Sequence, residues 1–268
     1  MHATRVHFEQ AVYGSFPFWD RGYAVLAQSQ GCKAEWLTAF QDVCQKFGER
    51  PRGVEEFGRS LFAMRLNAND GPWMIVGVST TGKDDHGRPG ALAFHGLFIE
   101  KREYRKARFN PFALAGALRS DWTSETTFLE AGSWPIDETI CPVSDEATRI
   151  AERIRREQRV AIEASAPIEE LARSVWQELP ENVRKTASLA TWAFANGNRF
   201  DLIGVPDIKA IEWDESYADL PAKASRQNPW LAFGSFFVER ASRLLFLQKP
   251  AGRLPFLPKQ ARRPLHKK

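Results

Sequence analysis

Three apolar runs succeed one another between residues 60 and 100: "SLFAMRLN", "PWMIVGVSTTG" and "ALAFHGLFIE". Each is too short and too finely punctuated for a helix, and each is rich in residues that suit a pleated, buried surface. The turn signal Asn69-Asp70-Gly71-Pro72 separates the first from the second, and the polar loop "GKDDHGRPG" separates the second from the third. Upstream, strands are expected around His7–Tyr13 and Tyr23–Gln28. In the latter, Tyr23, Val25 and Ala27 alternate with Ala24, Leu26 and Gln28, so both faces are largely apolar, as in a central strand. A helix from Lys33 to Phe47 places Trp36, Leu37, Phe40, Val43, Cys44 and Phe47 at helical spacing, with Gly48 as its stop. The first half therefore reads as a mixed, mainly antiparallel sheet with packed helices.

The second half reads differently. Asn110 followed by Pro111 is a favoured helix start. From Ser144 to about Ser165, Ala147, Ile150, Ile154 and Ala161 give one narrow apolar stripe, and a second helix runs from Pro167 to Leu179, followed by a helical turn after Pro180. "SLATWAFANGNRFDLIGVPD" carries an Asn-Gly turn between apolar runs, the signal of a β-hairpin. "PWLAFGSFFVERASRLLFL" confines its charge to Glu239, Arg240 and Arg243, a mostly covered helix that is open to three placements: the protein's own core, a partner, or a membrane surface. The expected class is α+β: an N-terminal α+β domain over 1–135, a helical region with one hairpin and a terminal apolar helix over 136–248, and a basic tail over 249–268.

Charge is unevenly placed. The chain is +4 overall, but seven of its 37 Lys and Arg lie in residues 249–268, where there is no acid. Residues 1–248 thus hold 30 bases against 33 acids, net −3, and the body is not a basic protein. Pro250, Pro255, Pro258 and Pro264 keep the tail out of regular helix and favour an extended or disordered state. With only three cysteines, none at zinc-ligand spacing, neither a disulfide framework nor a metal site is expected. No run is apolar enough to span a bilayer and the N-terminus has no signal-like apolar segment, so a soluble cytoplasmic protein is expected.

No complete catalytic motif is present, and no cofactor is implied. Gly77 to Lys83 matches the first seven positions of a phosphate loop, but Asp84 stands where Ser or Thr must hold Mg²⁺, and a turn-forming stretch follows instead of a helix. His95 shares a strand face with Ala93, Leu97 and Ile99, which suits either a hydrogen-bonded core histidine or a pocket-lining base. Ser29 and Asp20 are the partners it would need for a triad, yet no nucleophile elbow surrounds any serine. In "KREYRKAR", Lys101, Arg102, Arg105, Lys106 and Arg108 surround Tyr104, a pattern open to phosphate binding with base stacking or to a solvated connection. The loop Phe16-Pro17-Phe18-Trp19-Asp20-Arg21 displays three aromatics at a turn, which either pack beneath it or meet a partner.

Three stretches, "QAVYGSFPFWDRGYAVLAQSQG" (Gln10 to Gly31), "GRPGALAFHGLFIEKREYRKARFNPFAL" (Gly87 to Leu114) and "LPENVRKTASLATWAFANGNRFDLIGVP" (Leu179 to Pro206), resemble the N-terminal modules of the bacterial GTPase-associated proteins, first class, of predicted conflict systems. The resemblance implies a non-enzymatic adaptor or sensor subunit working beside a GTPase or another NTPase-linked subunit in a defence or stress system. It implies no catalytic residue. The rival expectation is a nucleic-acid-binding component of such a complex, using residues 101–108 and the tail.

Overall fold

The computed structural model describes residues 3–51, 54, 59–66, 71–136 and 140–210. These residues belong to one compact unit, residues 1–221. The expected C-terminal helix and basic tail lie outside the described residues.

Among the described residues the strands are β1 (Arg5–Gly14), β2 (Ala24–Gln28), β3 (Ser60–Arg65), β4 (Trp73–Thr80), β5 (Leu92–Ile99), β6 (Gly132–Pro135), β7 (Val160–Glu163), β8 (Leu189–Ala190) and β9 (Leu202–Val205). The helices are α1 (Ala34–Gln45), α2 (Lys101–Lys106), α3 (Asp145–Arg155), α4 (Glu169–Glu178) and α5 (Glu181–Arg184). The fold is α+β, built on one mixed sheet in the order β2-β1-β5-β4-β3-β8-β9-β7, with β6 paired to the start of β1; β2, apolar on both faces as a central strand would be, is instead an edge strand whose side chains are mostly half-buried. The pairs from β2 through β8 are antiparallel, and β9 runs parallel to both β8 and β7.

Every residue of β5 is buried, as is all of β4 except its last residue, so both faces of the sheet centre must be covered. On one face Ile75, Leu97 and Ile99 pack against Tyr104, Phe109, Phe112, Ile150 and Trp176. On the other, Val76, Phe94 and Phe98 pack against Trp36, Phe40 and Phe47 from and after α1. The two-residue periodicity of the strands assigns the layers: odd-numbered β4 and β5 positions face the first, even-numbered positions the second.

The helix starts follow local chemistry. Ser144 Oγ accepts the amide of Ala147 at 3.1 Å and caps α3. Asn110 caps as expected, with Oδ1 accepting the amide of Phe112, but the segment it opens, Pro111–Ala117, is a 3₁₀ helix. The helix expected to reach Ser165 ends at Arg155. Glu157 adopts a positive φ of 60°, and the β-branched Val160 and Ile162 continue as β7 beside β9.

The expected hairpin is not formed. Its two strands, β8 and β9, are parallel. The reason lies in the connection: the Ala193 amide still donates to the Gly204 carbonyl of β9, but Trp192 and Phe194 join the core over α1, and the amides of Phe194 and Ala195 both donate to the carbonyl of Phe47. The Asn196-Gly197 turn does occur, but between a core-covering segment and β9 rather than between two paired strands. Strands from both sides of residue 135 thus share one sheet.

The parallel register sets a steric test. A Cβ on Gly204 would lie 2.5 Å from the Thr191 carbonyl oxygen and 2.9 Å from Ile168. Gly204→Ala is therefore expected to destabilise the protein by about 1–3 kcal/mol in urea denaturation, as overpacking against backbone does. A hairpin pairing would leave that contact unmade and the stability unchanged.

Candidate functional site

His95 is 1% exposed, and both of its ring nitrogens are engaged inside the fold. The backbone amide of Arg119 donates to Nδ1 at 2.9 Å, so Nδ1 must accept and the proton sits on Nε2. Nε2 then donates to Gln10 Oε1 at 2.8 Å. The orientation of that amide is fixed because Gln10 Nε2 donates to the Glu130 carbonyl at 2.7 Å. Burial, reinforced by the Arg119 charge, lowers the imidazole pKa to about 3. The ring is a neutral structural group with no lone pair free to take a proton. Ser29 and Asp20 do not join it: Ser29 Oγ bonds Glu9 and the Gln10 backbone, and Asp20 is exposed at the loop tip.

The aromatic loop divides into an anchor and a display. Phe16 is 1% exposed and packs on Val12, Ala27 and Ala93, so it is a core residue and no partner reaches it. Phe18 stacks on it at 5.3 Å between centroids, Trp19 leans on it at 6.4 Å, and Arg21 lies 5.4 Å over the Trp19 ring. Phe18 is 38% exposed, and Asp20 and Arg21 are exposed beside it. Gly22, at φ +63°, closes the turn and donates its amide to Asp85 Oδ2 at 2.7 Å. Ser15 Oγ donates to the other oxygen of Asp85 at 3.0 Å. Asp85 therefore ties both ends of the loop to the 81–90 segment. Desolvation acts to raise its pKa, but these donors outweigh it and hold the carboxyl below its usual range.

The 81–90 segment also carries bonds of its own. Asp84 accepts the amides of His86 and Arg88 and pairs with Arg88 Nε at 2.6 Å. This is a tight loop and not the entry to a helix, so the phosphate-loop likeness has no structural counterpart.

The basic cluster lies on α2 except for Arg108, which follows it at a positive φ of 50°, and its expected stacking residue is unavailable: Tyr104 is 2% exposed, packed against Trp73 and Phe109. The helix turns the tyrosine inward because it needs one apolar side toward the core. Lys106 is held by Glu103 at 2.7 Å and by the Arg5 carbonyl, and Glu103 also accepts the His7 amide at 2.9 Å. Arg102 lies 3.9 Å from the same carboxylate. Lys101, Arg105 and Arg108 are exposed.

A cleft that no sequence motif marks opens beside the aromatic loop. Its volume is about 750 Å³, and its walls bring together Tyr13 and Phe94 from the sheet, Tyr23 from just before β2, Gln45 from α1, Arg50, and the Asp84–Arg88 pair. The residues are dispersed over more than seventy positions, so only the strand order assembles them.

The chain matches no protein-family model and finds no match among curated proteins. Among the described residues, no helix is long and apolar enough to cross a membrane, and no three metal-ligating side chains gather.

Two pH experiments follow from this geometry. In ¹⁵N NMR, His95 is expected to keep the neutral, Nε2-protonated signature from pH 8 to pH 5; a titration near 6.5 would refute the lock. Because the folded pKa lies below the unfolded one, the histidine's contribution is full above 6.5 and is lost as pH falls toward about 3. Asp85→Asn should lower the melting temperature at neutral pH, with the difference from wild type shrinking as pH drops below 3.8, where the wild-type carboxylate also loses its charge. A difference independent of pH would show that charge on Asp85 does not hold the loop.

Proposed function

We propose that the chain is a non-enzymatic adaptor or sensor subunit of a bacterial, cytoplasmic, NTPase-linked defence or stress system, acting through protein–protein contacts. One observation carries the reading: Phe18 is held outward on a buried Phe16 and an Asp85 staple, beside a half-buried Trp19 with Arg21 over its indole. Trp and Arg are the side chains that most often dominate interfaces, and rigid presentation lowers the entropy lost on docking. The resemblance of Gln10 to Gly31 to GTPase-associated modules supports an NTPase-type partner. The engaged state of His95 supports a role other than acid–base catalysis. A nucleic-acid role for residues 101–108 loses base stacking on Tyr104, though Lys101, Arg105 and Arg108 still face solvent.

Truncations separate anchor from display. Phe16→Ala is expected to cost about 3–5 kcal/mol of folding stability, as removal of a buried aromatic does. Phe18→Asp should leave the denaturation midpoint unchanged and abolish retention of an NTPase-type partner when the tagged full chain is isolated under near-native conditions. Trp19→Ala should weaken that association by about 2 kcal/mol. Identical partner recovery by wild type and Phe18→Asp would overturn the reading. So would salt-sensitive recovery of nucleic acid that falls when Lys101, Arg105 and Arg108 are neutralised.

A further inference from the structure

The cleft beside the loop carries an inference of its own, independent of any docking at Phe18 and Trp19. Its size falls within the range of about 300–1,000 Å³ typical of small-molecule sites. Its polar groups are biased toward donors. Arg50 Nη1 is buried with no hydrogen-bond partner, an uncommon state for a guanidinium nitrogen and one that a ligand acceptor would relieve. The Tyr23 hydroxyl accepts the Leu92 amide at 3.0 Å, which leaves its O–H proton free to donate elsewhere. The Tyr13 hydroxyl accepts from Gln45 Nε2 at 3.5 Å and is in the same position. Burial raises both phenol pKa values, so both stay protonated donors well past neutrality.

Of the two acids on the wall, one is taken up by its own loop and one opposes this bias. Asp84 is consumed by Arg88 and by two amides of its own loop. Glu49 is the other acid there, and among the described residues no ion pair joins it to Arg50. The guanidinium lies beside the Gly90 backbone: a Cβ at Gly90 would lie 3.4 Å from Nε and Nη2. The rest of the wall is aromatic. Tyr23, 48% exposed, presents its ring at the cleft, and the buried rings of Tyr13, 5.8 Å from it between centroids, and Phe94, 6.0 Å from Tyr13, back it from the core. Donors for an anionic head beside a ring for a flat body describe one class of ligand.

We propose that this cleft binds a small anion in which a carboxylate or phosphate monoester is attached to a planar ring, with Arg50 and the two tyrosine hydroxyls holding the head group and the exposed Tyr23 ring the body. Fork-shaped donors suit either head group.

Calorimetric titration of the full chain with phenyl phosphate, benzoate and inorganic phosphate tests it. Saturable binding of phenyl phosphate or benzoate is expected, with inorganic phosphate clearly weaker because it lacks the ring. Whichever ring-bearing probe binds tighter identifies the head group. Arg50→Gln should weaken binding about tenfold or more, the loss expected for a hydrogen bond to a charged group, without lowering the melting temperature. Arg50→Lys should bind between the two, since it keeps charge but not the fork. Glu49→Gln should tighten binding, which a purely structural role for Arg50 would not produce. No saturable binding of either ring-bearing probe to the wild type, equal affinity for inorganic phosphate, or unchanged affinity in Arg50→Gln would overturn the proposal.

Discussion

The structure depends on burial of β4 and β5 along both faces. A sheet centre with no wet side needs two covering layers, and the sequence must supply both from elements distant in the chain. One layer comes from the 101–118 segment with α3 and α4, the other from α1 with residues 192–200. Neighbouring glycines on the two strands let each layer close. A Cβ on Gly77 would press on Leu118 at 3.1 Å, and one on Gly96 would press on the Phe40 ring at 3.0 Å. The same burial dictates the state of His95. A polar side chain in that position has to be satisfied internally or destabilise the fold, and Gln10 and the Arg119 amide satisfy it completely.

The open elements of the surface lie at the margin of the sheet and not at its centre. The aromatic loop leaves the end of β1, and the 81–90 segment leaves the end of β4 to meet it through Asp85. The cleft occupies the same corner, since Tyr23 follows the loop and Asp84 and Arg88 belong to the 81–90 segment. A ligand at Tyr23 and a partner at Phe18 would therefore act on two ends of one short, stapled stretch of chain.

Much of the sheet was legible because its strands carry their own local evidence. The three apolar runs became β3, β4 and β5, and α1, α4 and the Asn110 cap fell close to the expected positions. What escaped was decided by tertiary contact. The Asn196-Gly197 turn was real, but whether the segment before it pairs with β9 or covers α1 depends on Phe47, some 150 residues earlier. In the same way, Val160–Glu163 reads as the tail of a helix until β9 is there to pair with it. Of the site residues, the sequence marked the aromatic loop and His95 but gave no sign that Phe16 is an anchor or Tyr104 a core residue. Arg50 carried no signal, because an unpaired guanidinium is a property of its surroundings and not of its neighbours in sequence.

One continuous sheet, built as a single cooperative unit from strands of both halves of the chain, is the central claim, and native-state hydrogen exchange measures it residue by residue. The amides of Ile75, Leu97 and Ile203 are expected to exchange only through a common global opening, placing β9 in the same cooperative unit as β4 and β5, while amides of residues 16–22 exchange through smaller local openings. Independent, low-energy opening of Leu202–Val205, with β4 and β5 still protected, would divide the sheet into separate halves and contradict it.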